Sequence, residues 1–267
     1  MYPEILVAMV QIAREVTNMR TGGALDERVK KGRWDIVTEA DRLSESALMN
    51  YITSRFPKDG IRGEEGAAFA SNSGFEWAID PIDGTVNFAS GLPFYGISAG
   101  RTEKGQSTFG TVLFPDLGVC IFGRRGQGAY RQAVNFRLLE NGIFGQAAPI
   151  NVPESTTDLE KAVVTLGATA GNEDSFQTLR LRCRNVLVFG CFTYEAMLVI
   201  TGLISACVHT AATPFDVAAV AIIAEEAGCV VERLDGEEMD LRADKIPVII
   251  AANQPICNSI IRAMNQT

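Results

Sequence analysis

The sequence contains a single histidine, His209, and its six cysteines include no CxxC pair. Structural zinc sites use closely spaced Cys and His ligands, so this composition argues against a zinc site of the sulfur and imidazole kind. The cysteines stand at positions 120, 183, 191, 207, 229 and 257. We expect them to be reduced thiols, mostly buried.

Long apolar runs and dense basic runs are also absent. No stretch reaches the ~20 apolar residues of a membrane-spanning helix, and the N-terminus lacks the basic region and apolar run of a signal peptide. The formal net charge is -8, and no cluster of Lys and Arg reverses it locally, so nucleic acid would be repelled. These absences predict a soluble, cytoplasmic protein with neither a nucleic acid nor a membrane as its partner.

The remaining pattern predicts a mixed fold of helices and strands. Apolar residues recur at helical spacing from Ile5 to Val16 and from Leu43 to Ile52, which indicates two opening helices. The segments FEWAID, YGISAGRT, STFGTVLF and GVCIFG then predict an antiparallel meander. After Pro149 strand and helix patterns alternate. We expect two intimately packed halves, residues 1–148 with α+β character and residues 149–267 with α/β character.

The segment WAIDPIDGT joins a predicted strand to a group of oxygen ligands. Asp80, the Ile82 carbonyl and Asp83 can direct three oxygens at one point, as a hard divalent cation requires. Gly84 and Thr85 are predicted to begin a helix, whose free N–H groups can hold a phosphate. The alternative is a strand-to-helix turn in which Asp serves only as a cap.

Four other acidic residues lie at positions where a single acidic residue would not indicate a functional site. Asp41 stands at a predicted helix start, Glu64 and Glu65 precede a loop, and Asp216 lies in the first turn of a helix. Taken singly, each is more simply explained as a cap or a solvated charge. Together with Asp80 and Asp83 they suggest a carboxylate cluster.

Four motifs occur in one order along nearly the whole chain: KKGRWDIVTEAD, GEE, DPIDGTVNF and PFDVAA, followed by EEAG. In these motifs the chain resembles the inositol monophosphatase family, within the lithium-sensitive, magnesium-dependent sugar phosphatases. The resemblance implies a layered αβαβα sandwich, a homodimer, two or three Mg²⁺ ions and hydrolysis of a phosphate monoester of a small metabolite. The enzyme would be a phosphoric monoester hydrolase.

The resemblance also assigns the metal ligands. Glu64, Asp80 and the carbonyl of Ile82 would hold a first Mg²⁺, while Asp80, Asp83 and Asp216 would hold a second. Glu64 would share a third, weaker site, and as a ligand of the first ion it counts among the catalytic residues. The first ion would lower the pKa of a water molecule towards neutrality.

The remaining assigned roles concern the water and the substrate. Asp41 and Thr85 would orient the attacking water, and Lys30 would help with metal or phosphate charge unless it is simply a solvated lysine. The residues expected to contact substrate are Gly84, Thr85, Gly190, Cys191, His209 and Asp216.

The chain departs from the family pattern at the substrate end. His209 stands where inositol-binding members usually have a Glu, so it would hydrogen-bond a hydroxyl or attract a second anionic group, or else be a satisfied structural imidazole. Phe192 replaces a small residue, which predicts a narrower or reshaped pocket. Phe215 replaces a common Trp and Val220 a common Gly, which predicts repacking without loss of a metal ligand.

An inositol-1-phosphate-like monoester is the predicted substrate. The alternatives are histidinol-phosphate phosphatase, fructose-1,6-bisphosphatase, nucleotide 3′-phosphatase, and a regulatory role in binding another protein. A calcium-binding module would show the alternating Asp and Asn ligands of an EF-hand loop, which this sequence lacks.

Overall fold

The computed structural model describes residues 2–23, 28–32, 35–66, 68–135, 143–167 and 173–265. Its helices are α1 (Tyr2–Thr21), α2 (Glu39–Arg55), α3 (Thr85–Ala89), α4 (Glu173–Arg182), α5 (Phe192–Ile200), α6 (Pro214–Glu226) and α7 (Gln254–Met264). Its strands are β1 (Arg28–Gly32), β2 (Asp35–Val37), β3 (Gly60–Gly63), β4 (Ala68–Phe69), β5 (Phe75–Asp83), β6 (Gly96–Glu103), β7 (Gln106–Phe114), β8 (Val119–Arg124), β9 (Ala129–Asn135), β10 (Ile143–Phe144), β11 (Ala148–Ile150), β12 (Val163–Leu166), β13 (Asn185–Leu187), β14 (Ala206–Ala212), β15 (Val230–Arg233) and β16 (Ile246–Ala251).

The two predicted opening helices are confirmed as α1 and α2, which form an outer layer. The apolar stripe of α1, including Ile5, Met9 and Val16, is buried together with Leu48 and Ile52 of α2. These side chains share a core with residues of the large sheet. Burying each one is worth about 1.5–3 kcal/mol, so the stripe holds both helices against the sheet.

The large sheet has the strand order β10-β9-β8-β7-β6-β5-β3-β4, with β11 paired to β9. The predicted meander is confirmed, because β5 through β8 pair antiparallel in sequence order, and β9 extends it by a further antiparallel strand. Strand β3 runs parallel to β5, which places the GEE motif beside the end of the strand that carries Asp80.

Helices α5 and α6 form the middle layer against the opposite face of this sheet, and two glycines permit the close approach of α6. A Cβ on Gly100 would lie 2.6 Å from the backbone of Ala218, and a Cβ on Gly110 would lie 2.1 Å from the Ala219 carbonyl oxygen. The same core joins α5 and α6 to Cys207, Val248 and Ile250 of the small sheet.

The small sheet has the order β13-β12-β14-β16-β15 and mixed strand directions. Its outer face packs on α4 and α7 through a further core that includes Leu179, Ile256 and Ile260. The layers therefore run helix, sheet, helix, sheet, helix, which confirms the αβαβα sandwich. The division at residues 148 and 149 stays a prediction.

Two compositional expectations can be compared with the fold. All six cysteines are buried and free, as expected. None of the helices described above is long and apolar enough to cross a membrane.

Candidate active site

Strand β5 delivers two carboxylates to one end of the large sheet. The strand continues through Asp83, although its pairing with β6 shifts by one residue between Asp80, which lies opposite Ser98, and Asp83, which lies opposite Gly96. The Oδ1 of Asp80 accepts a hydrogen bond from the Ile82 amide at 3.0 Å. Asp80 is 2% exposed and Asp83 7% exposed, so both carboxylates are held inside the protein.

The turn after β5 depends on a glycine. Gly84 has φ +86°, and a Cβ there would lie 2.9 Å from the carbonyl oxygen of Phe94. A side chain would therefore be strained in its backbone conformation and would also clash. The predicted helix start at Thr85 is confirmed, although α3 extends over only five residues.

Asp216 reaches the same place from the first turn of α6. Its Oδ2 accepts hydrogen bonds from the amide of Thr213 at 2.6 Å and from the hydroxyl of Thr213 at 2.8 Å. The Asp216 amide donates to the Thr213 hydroxyl in return, which completes a capping box. The cap therefore exists, and it fixes the direction of the carboxylate.

Asp80, Asp83 and Asp216 each offer an oxygen, and these oxygens all lie within 4.8 Å of one another. Burial raises the pKa of Asp83 to about 6, and the charge of Asp216 adds to the rise. Burial also raises the pKa of Asp80 well above its usual range, followed by the charges of Glu64, Asp83 and Asp216. Such an uncompensated cluster of hard oxygen ligands fits a divalent cation.

The N-terminus of α5 holds Asp83 from the other side. The Thr193 amide donates to its Oδ2 at 2.6 Å and the Phe192 amide to its Oδ1 at 3.2 Å. The Cys191 thiol donates to Oδ2 at 3.2 Å. The Thr193 side chain also hydrogen-bonds Asp83, and sequence reasoning did not include Thr193 among the site residues.

Cys191 and Phe192 lie deeper than the substrate role predicted for that segment suggests. Cys191 is 1% exposed and Phe192 2% exposed, and the Phe192 ring packs edge-on against the His209 ring at 4.4 Å between centroids. The Phe192 side chain is therefore part of the core, and the narrower or reshaped pocket stays a prediction.

Asp41 and Thr85 are brought into contact. Asp41 is buried in the first turn of α2, where its Oδ2 accepts from the amide and hydroxyl of Thr38 at 2.8 and 2.6 Å. The Thr85 hydroxyl lies 3.1 Å from Asp41 Oδ1 and 3.0 Å from the Ile82 carbonyl oxygen. Burial raises the pKa of Asp41, while the bonds from Thr38 and Thr85 oppose the rise.

Glu64 lies in the turn after β3 and is more exposed than the other predicted ligands. Its amide donates to the Ile79 carbonyl at 3.2 Å, and its side chain hydrogen-bonds Asp80 and contributes to the raised pKa of that group. The neighbouring Glu65 amide donates to Glu45 of α2 at 2.7 Å. Lys30 belongs to β1, but its side chain lies outside the described residues.

His209 is linked to Gly190 through a residue that sequence reasoning missed. The Oε2 of Glu195 lies 3.1 Å from His209 Nε2, and its Oε1 accepts from the Gly190 amide at 3.2 Å. The only sequence signal was an acidic residue inside the otherwise apolar run of α5. Nearby, the centre of the Phe215 ring lies 5.9 Å from the Arg62 guanidinium and Val220 is buried in the core; the repacking expected at these two positions stays a prediction.

A profile of the inositol monophosphatase family matches residues 3–266. The chain belongs to the inositol monophosphatase family. Members of this family are phosphatases that act on phosphoric monoesters, and they depend on metal ions. The chain is accordingly a phosphoric monoester hydrolase, and its acidic cluster agrees with metal dependence.

Individual relatives carry different activities in their names. The chain is 30% identical over 246 residues to a fructose-1,6-bisphosphatase/inositol-1-monophosphatase of Thermotoga maritima, covering 91% of this chain and 88% of that protein. It is 32% identical over 199 residues to a histidinol-phosphatase of Chlorobaculum parvum, covering 72% and 70%. Its fold matches an IMPase/NADP phosphatase complexed with Mg²⁺ and phosphate at a TM-score of 0.81 and 24% identity, covering 96% and 92%. The substrate therefore varies among similar proteins.

Proposed function

We propose that the protein catalyses Mg²⁺-dependent hydrolysis of a small-metabolite phosphate monoester, of the inositol 1-phosphate kind, by an activated water molecule. The observation that supports this most directly is the convergence of Asp80, Asp83 and Asp216 beside the Asp41–Thr85 pair. A buried group of like charges destabilises a fold unless a cation balances it, and phosphate is the substrate group that needs such a cation beside it.

The proposed ligand sets follow the family resemblance. Glu64, Asp80 and the Ile82 carbonyl would hold one Mg²⁺, and Asp80, Asp83 and Asp216 a second, with Glu64 shared by a third, weaker ion. Bound Mg²⁺ lowers the pKa of a coordinated water and neutralises charge on the phosphate oxygens. The hydrogen bond between the side chains of Glu64 and Asp80 supports the assignment of both residues to the same ion.

Thr85 and Asp41 would orient the attacking water. When the Thr85 hydroxyl donates its proton to Asp41 Oδ1, its oxygen is left as an acceptor for a hydrogen of that water. Asp41 itself is fixed by the Thr38 amide and hydroxyl, so the pair needs no rearrangement. The amides of Gly84 and Thr85 would donate hydrogen bonds to a phosphate oxygen at the start of α3.

The substrate-facing roles of Gly190, Cys191, His209 and Asp216 are part of the same proposal. Asp216 would stand beside the leaving oxygen as a ligand of the second ion. The contacts of the Cys191 thiol with Asp83 support an indirect role, because a thiol buried beneath a ligand acts on substrate through that ligand.

The experiment that tests the proposal is phosphate release with Mg²⁺ from four substrates: inositol 1-phosphate, histidinol phosphate, fructose 1,6-bisphosphate and adenosine 3′,5′-bisphosphate. The Asp83→Asn variant is the control, because it removes one ligand while keeping the size of the side chain. We expect one substrate to be preferred and its turnover to be lost in the control. No release from any of the four, with Mg²⁺ bound, would refute the proposed substrate class and favour a regulatory role in binding another protein.

A homodimer and a cytoplasmic location complete the proposal. Both are expectations that the family resemblance supports. Light scattering during size-exclusion chromatography tests for the homodimer, and we expect a mass near twice the 28.8 kDa of the chain.

A further inference from the structure

Glu195 is a carboxylate in the interior that takes no part in the metal cluster. It is 0% exposed. Its Oε1 accepts hydrogen bonds from the Phe189 amide at 2.9 Å and the Gly190 amide at 3.2 Å, and its Oε2 faces His209 Nε2 at 3.1 Å. A carboxylate buried this deeply is very costly without such partners, so each contact is a strong constraint on the structure around it.

The contact between Glu195 and His209 determines which nitrogen of His209 carries a proton. An ionised carboxylate can only accept hydrogen bonds, and the two amides already donate to Oε1. Nε2 must therefore donate, which leaves Nδ1 as the acceptor in a neutral ring. The ring is held on two further sides, by Phe192 at 4.4 Å between centroids and by Gly167, where a Cβ would lie 2.3 Å from Nδ1.

The Glu195–His209 pair is also connected to the cluster of Asp80, Asp83 and Asp216 through two sets of contacts. Phe192 contacts the His209 ring with its side chain and donates its amide to Asp83. Strand β14, which carries His209, leads directly into the cap of α6 that directs Asp216. The turn at Phe189 is tied to α3, because Asn87 Nδ2 donates to its carbonyl at 2.7 Å. His209 is therefore fixed relative to both Asp83 and Asp216.

We propose that Glu195 is a positioning residue for the leaving-group end of the site, which holds His209 with Nε2 protonated and Nδ1 as an acceptor. The preferred substrate then carries a hydrogen-bond donor, a hydroxyl or an amine, on its leaving group. This inference rests on the proposed function and narrows its substrate class. A leaving group that offers only acceptors, such as a second phosphate, gains nothing from Nδ1.

Glu195→Gln tests this proposal directly, because Gln has the same shape as Glu but reverses the direction of the hydrogen bond to His209. The single amide oxygen of Gln must accept from Phe189 and Gly190, so its NH₂ group faces His209 Nε2. Nε2 then becomes the acceptor and the proton moves to Nδ1. Glu226→Gln is the control for the same change of residue away from the imidazole, since Glu226 accepts the amides of Gly126 and Gly128 at 2.7 Å, one on each oxygen, and bonds no imidazole in the described structure.

The first measurement is ¹⁵N NMR of histidine-labelled protein, which needs no activity and gives one imidazole because the chain has one histidine. We expect a proton on Nε2 alone in the wild type and in Glu226→Gln, and on Nδ1 in Glu195→Gln. A proton on Nδ1 of the wild-type ring, whether or not Nε2 also carries one, overturns the inference even if Glu195→Gln fails to fold.

The second measurement is the ratio of kcat/KM between inositol 1-phosphate, whose leaving group has hydroxyl donors, and p-nitrophenyl phosphate, whose leaving group has none. We expect Glu195→Gln to lower this ratio about tenfold, and Gly167→Ala to lower it similarly by displacing the ring. An unchanged ratio in both folded variants overturns the inference. Absence of all turnover in the wild type would instead count against the proposed function, while the NMR result still decides the tautomer.

Discussion

Replacing Asp216 by Asn should stabilise the metal-free protein while abolishing its activity. Asn keeps an oxygen that can accept from the Thr213 amide and hydroxyl, so the capping box of α6 is retained. The negative charge is lost, and that charge is one of the causes that raise the pKa of both Asp80 and Asp83. The substitution therefore separates the charge of Asp216 from its part in the fold.

The expected gain can be worked out from the geometry. Two unit charges within 4.8 Å repel by about 3.5 kcal/mol at an effective dielectric constant near 20. The rise in the pKa of Asp83 from 3.8 to about 6 corresponds to about 3 kcal/mol at ~1.4 kcal/mol for each pKa unit, with burial as its larger cause. The charge of Asp216 therefore accounts for about 1–2 kcal/mol of this free energy. Removing the charge should raise Tm by about 2–8 °C in a chain of this size.

The assay is thermal unfolding at pH 7.5 in EDTA and again with saturating Mg²⁺. We expect Asp216→Asn to have the higher Tm in EDTA and to lose most of the stabilisation that Mg²⁺ gives the wild type. Asp41→Asn is the matched control, because Asp41 fills the same capping-box position in α2 and burial, with a smaller contribution from the charge of Glu65, raises its pKa. A lower Tm for Asp216→Asn in EDTA would show that repulsion in the cluster is weaker than the geometry implies.

Three further outcomes are expected. Thr85→Val should lower kcat about 10²-fold without loss of folding, and Thr85→Ser should recover most of it, as steady-state kinetics with Mg²⁺ will show. The pKa of Asp83 is raised in the fold to about 6, so the native state binds the proton more tightly and the metal-free protein should lose stability as the pH rises from about 4 to 6; equal Tm values across that range, or the same slope in Asp83→Asn, would contradict this. Gly110→Ala, whose Cβ would lie 2.1 Å from the Ala219 carbonyl oxygen, should cost at least about 3 kcal/mol in denaturant unfolding, whereas Gly126→Ala, with nothing within 4 Å, should cost about 1–2 kcal/mol for its left-handed backbone.

The elements of the fold could be predicted from local patterns because each buries one face. The stripe of α1 and the meander from β5 to β8 both follow from the spacing of apolar residues. The close approach of α6 to the large sheet could not be predicted in this way. It depends on Gly100 and Gly110 lying opposite Ala218 and Ala219, and no local pattern relates residues more than 100 positions apart.

The acidic cluster was predictable for a different reason, which is that its residues occur within recognisable motifs. Asp41 and Asp216 each look like a residue that caps a helix, and the structure shows each as the N3 residue of a capping box whose N-cap is a threonine. Two of the contacts that hold Asp83, from the amides of Phe192 and Thr193, are made by backbone groups. Such contacts depend on tertiary structure alone.

Glu195 can be interpreted only from its sequence context and its tertiary contacts together. Its sequence context, an acidic residue within an apolar helix, predicts a buried partner but does not say which one. Only the fold identifies that partner as His209, on a strand that the chain reaches after the end of α5. The altered residue at position 209 is then one half of a pair, because a carboxylate placed there would face the buried carboxylate of Glu195 at hydrogen-bonding distance. Substitution of His209 by Glu alone should therefore destabilise the fold, and a simultaneous change of Glu195 to Gln should restore much of the loss in a double-mutant cycle.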